Sequence, residues 1–279
     1  MSAVQNLLKC APECCLAKAV KRDYVATGNK QSPINIMGKD VVPDPYLSDN
    51  PLQWKDNGLW GASITNTGNY WQVSVKAGGP NICGGPLEHE YQMECFHGHW
   101  GKTSKAGSEH AVDGKYYAGE IHMVHFNADK FHSFVEAAPN DKGLVAVGVL
   151  LQEGAPHPQL QRIADCVPHI KYKGMKYALQ EPLDASSLVP IGSPYWTYEG
   201  SLTTAPWYEN VTWIVYQQPI EVSREQLETF RKLMSCDERS DPHKSDDGAI
   251  DCNVRATQPL KRRFVREPLR KHQDSGPIS

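Results

Sequence analysis

The run Leu144-Val-Ala-Val-Gly-Val-Leu-Leu151 constrains the fold more than any other feature of the chain. It has strand length, is rich in Val and Leu, and is apolar on both faces. A strand of that kind belongs in the middle of a large sheet covered on both sides. Shorter runs of strand chemistry recur at Gln72–Val75, Tyr91–His99, Glu120–Phe126 and Val211–Tyr216. Turn residues punctuate them, at Gly58, Gly61, Asn66-Thr-Gly68, Gly78-Gly79-Pro80 and Gly84-Gly85-Pro86. Only one segment reads clearly as a helix: Ser223-Arg-Glu-Gln226 is a capping box, followed by Leu227, Phe230 and Met234 at helical spacing. Gln159–Ala164 reads as a shorter one. The expected fold class is mainly β (α+β): one domain on a large, mostly antiparallel twisted β-sheet with a few peripheral helices.

Charge and composition exclude several function classes. Of 279 residues, 29 are Lys or Arg and 32 Asp or Glu, so the net charge is −3. That near-balance argues against nucleic acid or an anionic membrane as the main partner. No run of about 18 apolar residues exists to span a bilayer. An apolar content of 40% with seven Trp excludes a wholly disordered chain. Eight cysteines are too sparse for a disulfide-stapled secreted scaffold, and Lys9, Pro12, Glu13 and Lys18 break any secretory signal. Reduced thiols and a cytoplasmic location are therefore expected, with a mitochondrial presequence as the alternative. The cluster Cys10, Cys14, Cys15 has no Cys/His pair beside it and reads as incidental thiols on an N-terminal arm, residues 1–23. Asn210-Val-Thr212 matches a glycosylation sequon but adjoins an apolar run, so a buried strand end is expected. Six Lys/Arg within 261–271 read as a solvated C-terminal tail, placed at 264–279.

The chemistry lies in histidines. Phe96-His-Gly-His-Trp-Gly101 places His97 and His99 two apart, on one face of a strand. Eleven histidines in a chain of this length give roughly 0.4 such pairs by chance, so the pair alone says little. A second strand sharpens it: in Glu120-Ile-His122, His122 can supply a third ligand with Glu120 on the same face. Three imidazoles leave one tetrahedral position open, the mark of a catalytic rather than a structural zinc site. Glu120 can accept a ring N–H and fix the tautomer. His110, His125, His132, His157 and His169 read as ordinary hydrogen-bonded imidazoles. His89-Glu90 lacks the second His of a helical zinc motif, and a cupin-type site wants a Glu that Thr103 to Lys105 do not offer.

From roughly Gly28 to Arg263 the chain resembles the α-class carbonic anhydrases. The resemblance rests on Gln31-Ser-Pro-Ile-Asn-Ile36, Ile64-Thr-Asn-Thr-Gly68, Phe96-His-Gly-His-Trp-Gly101, Gly107-Ser-Glu-His-Ala-Val-Asp113, Glu120-Ile-His-Met-Val-His125, Tyr195-Trp-Thr-Tyr-Glu-Gly-Ser-Leu-Thr-Thr204 and Val211-Thr-Trp-Ile-Val215. It implies a domain over 24–263, Zn2+ held by His97, His99 and His122, and attack of zinc-held hydroxide on carbon dioxide to give bicarbonate and a proton. It implies that Thr203 accepts from the zinc-held group and donates to Glu109, with Thr204 beside it. Val124, Ala146, Leu202, Val211, Trp213 and Gln72 would line the substrate cavity. Inhibition by aromatic sulfonamides and a monomeric state follow from the same resemblance.

Three positions depart from the family's pattern. Cys95 stands where a Gln usually accepts from the first ligand, and a thiol is a poor acceptor. Asn69 occupies the position of the usual proton-shuttle His. The aromatic-rich opening is absent, the first Trp being Trp54. A disulfide typical of secreted relatives is not expected, since Thr27 and Trp207 lie at or near its positions. Two rivals remain: a catalytically weak carbonic-anhydrase-related binding protein, which would typically lose a ligand His, and a mineral-associated form, which would carry a signal peptide or acidic repeats.

Overall fold

The computed structural model describes residues 28–55, 61–75, 79–183, 185–239 and 248–269. The N-terminal arm and most of the expected tail lie outside them. Fifteen strands are described: β1 (Asn35–Ile36), β2 (Val42–Asp44), β3 (Gln53–Lys55), β4 (Ser63–Asn66), β5 (Trp71–Ser74), β6 (Asn81–Gly84), β7 (Leu87–Trp100), β8 (Ala111–Val112), β9 (Gly119–Asn127), β10 (Leu144–Glu153), β11 (Lys176–Ala178), β12 (Tyr195–Gly200), β13 (Val211–Tyr216), β14 (Ile220–Val222) and β15 (Arg266–Pro268). The main sheet runs β11-β4-β5-β7-β9-β10-β13-β12-β15-β2. Its expected antiparallel character holds for most neighbours, β7 with β9 and β9 with β10 among them. At β10 the direction changes, because β10 pairs in parallel with both β13 and β14.

That mixed centre explains the apolar run. On β10, Val145, Val147 and Val149 face one hydrophobic cluster, while Leu144 and Ala146 face another. The same alternation runs through β9, where Ile121 and Met123 enter the first cluster and Phe126 the second. In β7 a register shift between Met93 and Cys95 reassigns the faces. Met93, Phe96 and Trp100 pack into the first cluster, which leaves Cys95, His97 and His99 on the opposite face.

The helices are peripheral and short. Arg224–Phe230 begins at a capping box in which Ser223 and Gln226 bond reciprocally, and it buries Leu227 and Phe230. Met234 lies beyond its end, bridging Ala249, so the helix stops one turn short of its apolar pattern. Pro158–Cys166 covers the shorter predicted helix, with Leu160 and Ile163 buried. No helix among the described residues is long and apolar enough to cross a membrane.

Two expectations are corrected here. Arg266–Pro268 does not fray: it forms β15 between β12 and β2, with Val265 buried and Arg266 paired to Asp44 at 2.9 Å. Cys83, Cys95, Cys166 and Cys236 are free thiols, but Cys252 is disulfide-bonded, so reduced cysteines throughout do not describe this chain. The Asn210 amide is spent on the carbonyls of Ala138 and Asn140, consistent with a strand-end role.

Candidate metal centre

Register builds the site before any side chain is considered. Gln72 on β5, His97 on β7, His122 on β9 and Gly148 on β10 form one cross-strand row. The next row on the same face is Cys95, Val124, Ala146 and Trp213. Residues two apart along each strand bring the rows onto one surface. The three histidines and four of the six expected wall residues are thus placed together by backbone pairing alone. Gly148 allows a close approach: a Cβ there would sit 3.0 Å from Glu120 Oε1, which would have to give by a few tenths of an ångström.

His97, His99 and His122 are all buried, and their candidate ligand atoms lie within 4.8 Å of one another. His99 spends Nδ1 on the carbonyl of Asn253 at 3.0 Å, and its Nε2 is buried with no hydrogen-bond partner. His122 spends Nε2 on Glu120 at 2.9 Å, leaving Nδ1 on the site side. Burial, and then the neighbouring imidazoles, push the His97 pKa well below its usual value; burial also depresses that of His99. Neutral rings keep lone pairs for a cation. The buried His99 Nε2, without a partner and with the other rings' candidate nitrogens within 4.8 Å, is a cost unless a metal takes it, so the set fits Zn2+.

A second trio, His110, Glu120 and His122, is equally compact but already satisfied internally. Glu120 accepts four bonds: the backbone N–H groups of Glu109 (2.9 Å) and His110 (2.8 Å) at Oε2, and the rings of His110 (2.6 Å) and His122 (2.9 Å) at Oε1. Burial pushes the Glu120 pKa up, but His110 and His122 override it and hold the carboxyl well below its usual range. His110 passes the network on to the Tyr198 hydroxyl at 2.7 Å, which meets Ser32 Oγ at 2.9 Å. This trio braces His122 rather than competing for the ion.

Glu109 is buried, with Oε1 accepting from the Arg255 backbone at 2.8 Å. The expected hydrogen bond from Thr203 is not made. Glu109 Oε2 has no hydrogen-bond partner and lies 3.5 Å from His99 Nε2 and 3.7 Å from His122 Nδ1. The Arg255 contact fixes the carboxylate with its second oxygen toward the ligand rings. Thr203 is buried and Thr204 half-buried. Val124, Ala146, Val211 and Trp213 are buried, and the half-buried Leu202 packs against the cluster that holds the last three. Trp213 meets the His122 ring edge-on at 4.8 Å. Gln72 is half-buried; Asn69 is exposed, in the turn ahead of β5.

Sequence reasoning missed Asn253, Arg255 and Tyr198. Asn253 is 154 residues from His99 and lies in no strand or helix, so no local pattern announces it. Its side chain also accepts from Trp100 N at 2.7 Å and donates to the carbonyls of Gly98 and Asn69. Tyr70 stacks on His97 with ring centroids 4.3 Å apart.

Three buried imidazoles whose candidate nitrogens lie within 4.8 Å of one another, on one face of a mixed sheet, form a set able to hold a single zinc ion. The family comparison agrees: the sequence model of eukaryotic-type carbonic anhydrase matches residues 19–268. The chain is 43% identical over 250 residues to mouse mitochondrial carbonic anhydrase 5B, covering 89% of this chain and 76% of that one. It is 45% identical to human mitochondrial carbonic anhydrase 5A (75% and 68% covered) and 42% identical to human carbonic anhydrase 7 (88% and 91% covered). The chain belongs to the carbonic anhydrase family, zinc-dependent lyases that hydrate carbon dioxide.

Proposed function

We propose that His97, His99 and His122 hold the zinc, and that the residues around them carry out reversible hydration of carbon dioxide to bicarbonate. The observation that carries this reading is the buried His99 Nε2, unpartnered within a trio whose other candidate nitrogens face it. Bound zinc supplies a Lewis acid that ionises water near pH 7, the value known for this class of enzyme. The protein's own part is to orient and to exclude. Glu120 and the Asn253 carbonyl each fix one ligand tautomer. Val124, Ala146, Leu202, Val211 and Trp213 offer a small, uncharged, linear substrate an apolar surface free of competing donors. Thr203 and Thr204 present hydroxyls beside that surface, and Glu109 Oε2 is a free acceptor able to take the Thr203 proton once that side chain turns toward it. This would fix which way the Thr203 oxygen accepts.

Asn69 cannot titrate, and the Tyr70 hydroxyl is pushed up to about 12 by burial and then by the nearby Cys95. Neither side chain relays protons well near neutrality. Proton export is therefore proposed as the slow step. The intact trio, with Thr203 and Glu109 present, favours an active enzyme over a catalytically silent relative. A monomer and sulfonamide inhibition are proposed from the family. The cytoplasm is the compartment read from the sequence; the mitochondrial names among the relatives favour a second reading. The test is zinc content together with carbon dioxide hydration on purified protein. One zinc per chain and loss of activity on chelation are expected; full activity in a metal-free preparation would refute the proposal.

A further inference from the structure

The three ligand rings are not braced alike. His99 has the Asn253 carbonyl and His122 has Glu120, but His97 Nδ1 is buried with no hydrogen-bond partner. Cys95, two residues earlier on the same face of β7, is a buried thiol, which accepts poorly. No polar group among the described residues therefore fixes the tautomer or the plane of that ring, and an unbraced imidazole can turn about its broad second torsion.

Tyr70 occupies the face of His97 instead. The two rings are nearly parallel, 19° apart with centroids at 4.3 Å, and the His99 ring lies tilted beside Tyr70 with its centroid 5.8 Å away. The tyrosine is itself held at its backbone by Thr67. Its backbone N–H donates to Thr67 Oγ1 at 3.2 Å, and its carbonyl accepts from Thr67 N and Thr67 Oγ1 at 3.0 Å each. That turn depends on Gly68, whose φ of +87° suits glycine.

We infer that Tyr70 is a positioning residue for the metal: anchored by Thr67, its ring holds His97 in the ligating plane where the described residues offer no hydrogen-bond acceptor for it. A flat ring packed on the imidazole face blocks the out-of-plane rotation by which His97 would leave the ion. The effect is read in how fast the site gives up metal. This rests on the metal centre proposed above.

The experiment measures zinc release into excess dipicolinate from the wild type, Tyr70→Ala, Tyr70→Leu, Cys95→Gln and the double variant Cys95→Gln/Tyr70→Ala. Loss of a group that orients a metal-bound histidine typically costs about 10–100-fold in affinity, so Tyr70→Ala should release zinc about tenfold faster. Gln at 95 restores an acceptor for Nδ1, so in that background Tyr70→Ala should change the rate by less than about twofold, a coupling that the double-mutant cycle isolates. The visible spectrum of the cobalt-substituted protein should shift in Tyr70→Ala and return in the double variant. Should Tyr70→Ala not fold, Tyr70→Leu, which removes the flat ring and keeps an apolar side chain, must release zinc faster than wild type and lose that effect beside Cys95→Gln. Equal rates for wild type and Tyr70 variants would overturn the inference while leaving the zinc centre standing. So would the same acceleration in both backgrounds, which would mean Tyr70 only shields the site from solvent. A wild type that takes up no zinc would overturn both readings.

Discussion

Replacing Glu120 by Gln preserves shape and removes one acceptor, and the structure dictates where the damage falls. Four donors converge on the carboxylate, two backbone N–H groups on one oxygen and two imidazoles on the other. A Gln amide has one accepting oxygen and one donating nitrogen. If the oxygen turns to the rings, the NH2 faces the Glu109 and His110 N–H groups. Two buried donors then lose their acceptor, at about 1–3 kcal/mol each. If the oxygen keeps the backbone pair, the NH2 faces His110 Nδ1 and His122 Nε2, and both must become acceptors. His122 then carries its proton on Nδ1, the nitrogen left for the metal. The second arrangement spares the fold and harms the centre, so it should prevail. The expected loss of zinc affinity is about 10–100-fold, or about 1.4–2.7 kcal/mol, in a metal-free protein that still unfolds cooperatively. Competition against a chelator of known affinity measures the first, and thermal unfolding of the stripped protein the second. A Glu120→Gln variant that holds zinc within twofold of wild type would refute the tautomer argument.

Three further outcomes are expected. Burial lowers the His125 pKa to about 3. The unfolded chain, with an ordinary His pKa of about 6.5, therefore binds a proton that the folded one excludes. Stability is then full above about pH 6.5 and falls as the pH drops toward 3, by up to ~1.4 kcal/mol per pH unit from this group; denaturant melts of wild type and His125→Gln should differ in that slope, and equal slopes would contradict it. Asn253→Ala leaves the buried Trp100 N–H without its acceptor and loosens the carbonyl that braces His99, so unfolding should cost about 1–3 kcal/mol less and zinc release should quicken. Asn69→His should raise turnover in weak buffer with kcat/KM nearly unchanged, and imidazole buffers should accelerate the wild type; buffer-independent, rapid turnover of the wild type in stopped-flow hydration would defeat the proton-export reading.

Strand periodicity and ligand spacing were legible in the sequence because both are local. Two-residue alternation places His97 with His99 and Glu120 with His122, whatever the rest of the chain does. The apolar run at Leu144–Leu151 demands cover on both faces, and the capping box at Ser223 marks its own helix. The sequence by itself therefore determined a β-dominated fold and three candidate ligands. Only the tertiary structure decided which strands became neighbours, since a parallel β10–β13 pair and the shift between Met93 and Cys95 depend on long-range register. It also decided what braces each ligand. Glu120 stands two residues from His122, but Asn253 reaches His99 across 154 residues from an irregular segment. Tyr70 reaches His97 because β5 pairs with β7, bringing the turn ahead of Gln72 over the ligand rings. Hydrogen bonds and ring stacking act over a few ångströms of space. Sequence separation carries no record of that distance until the sheet has formed.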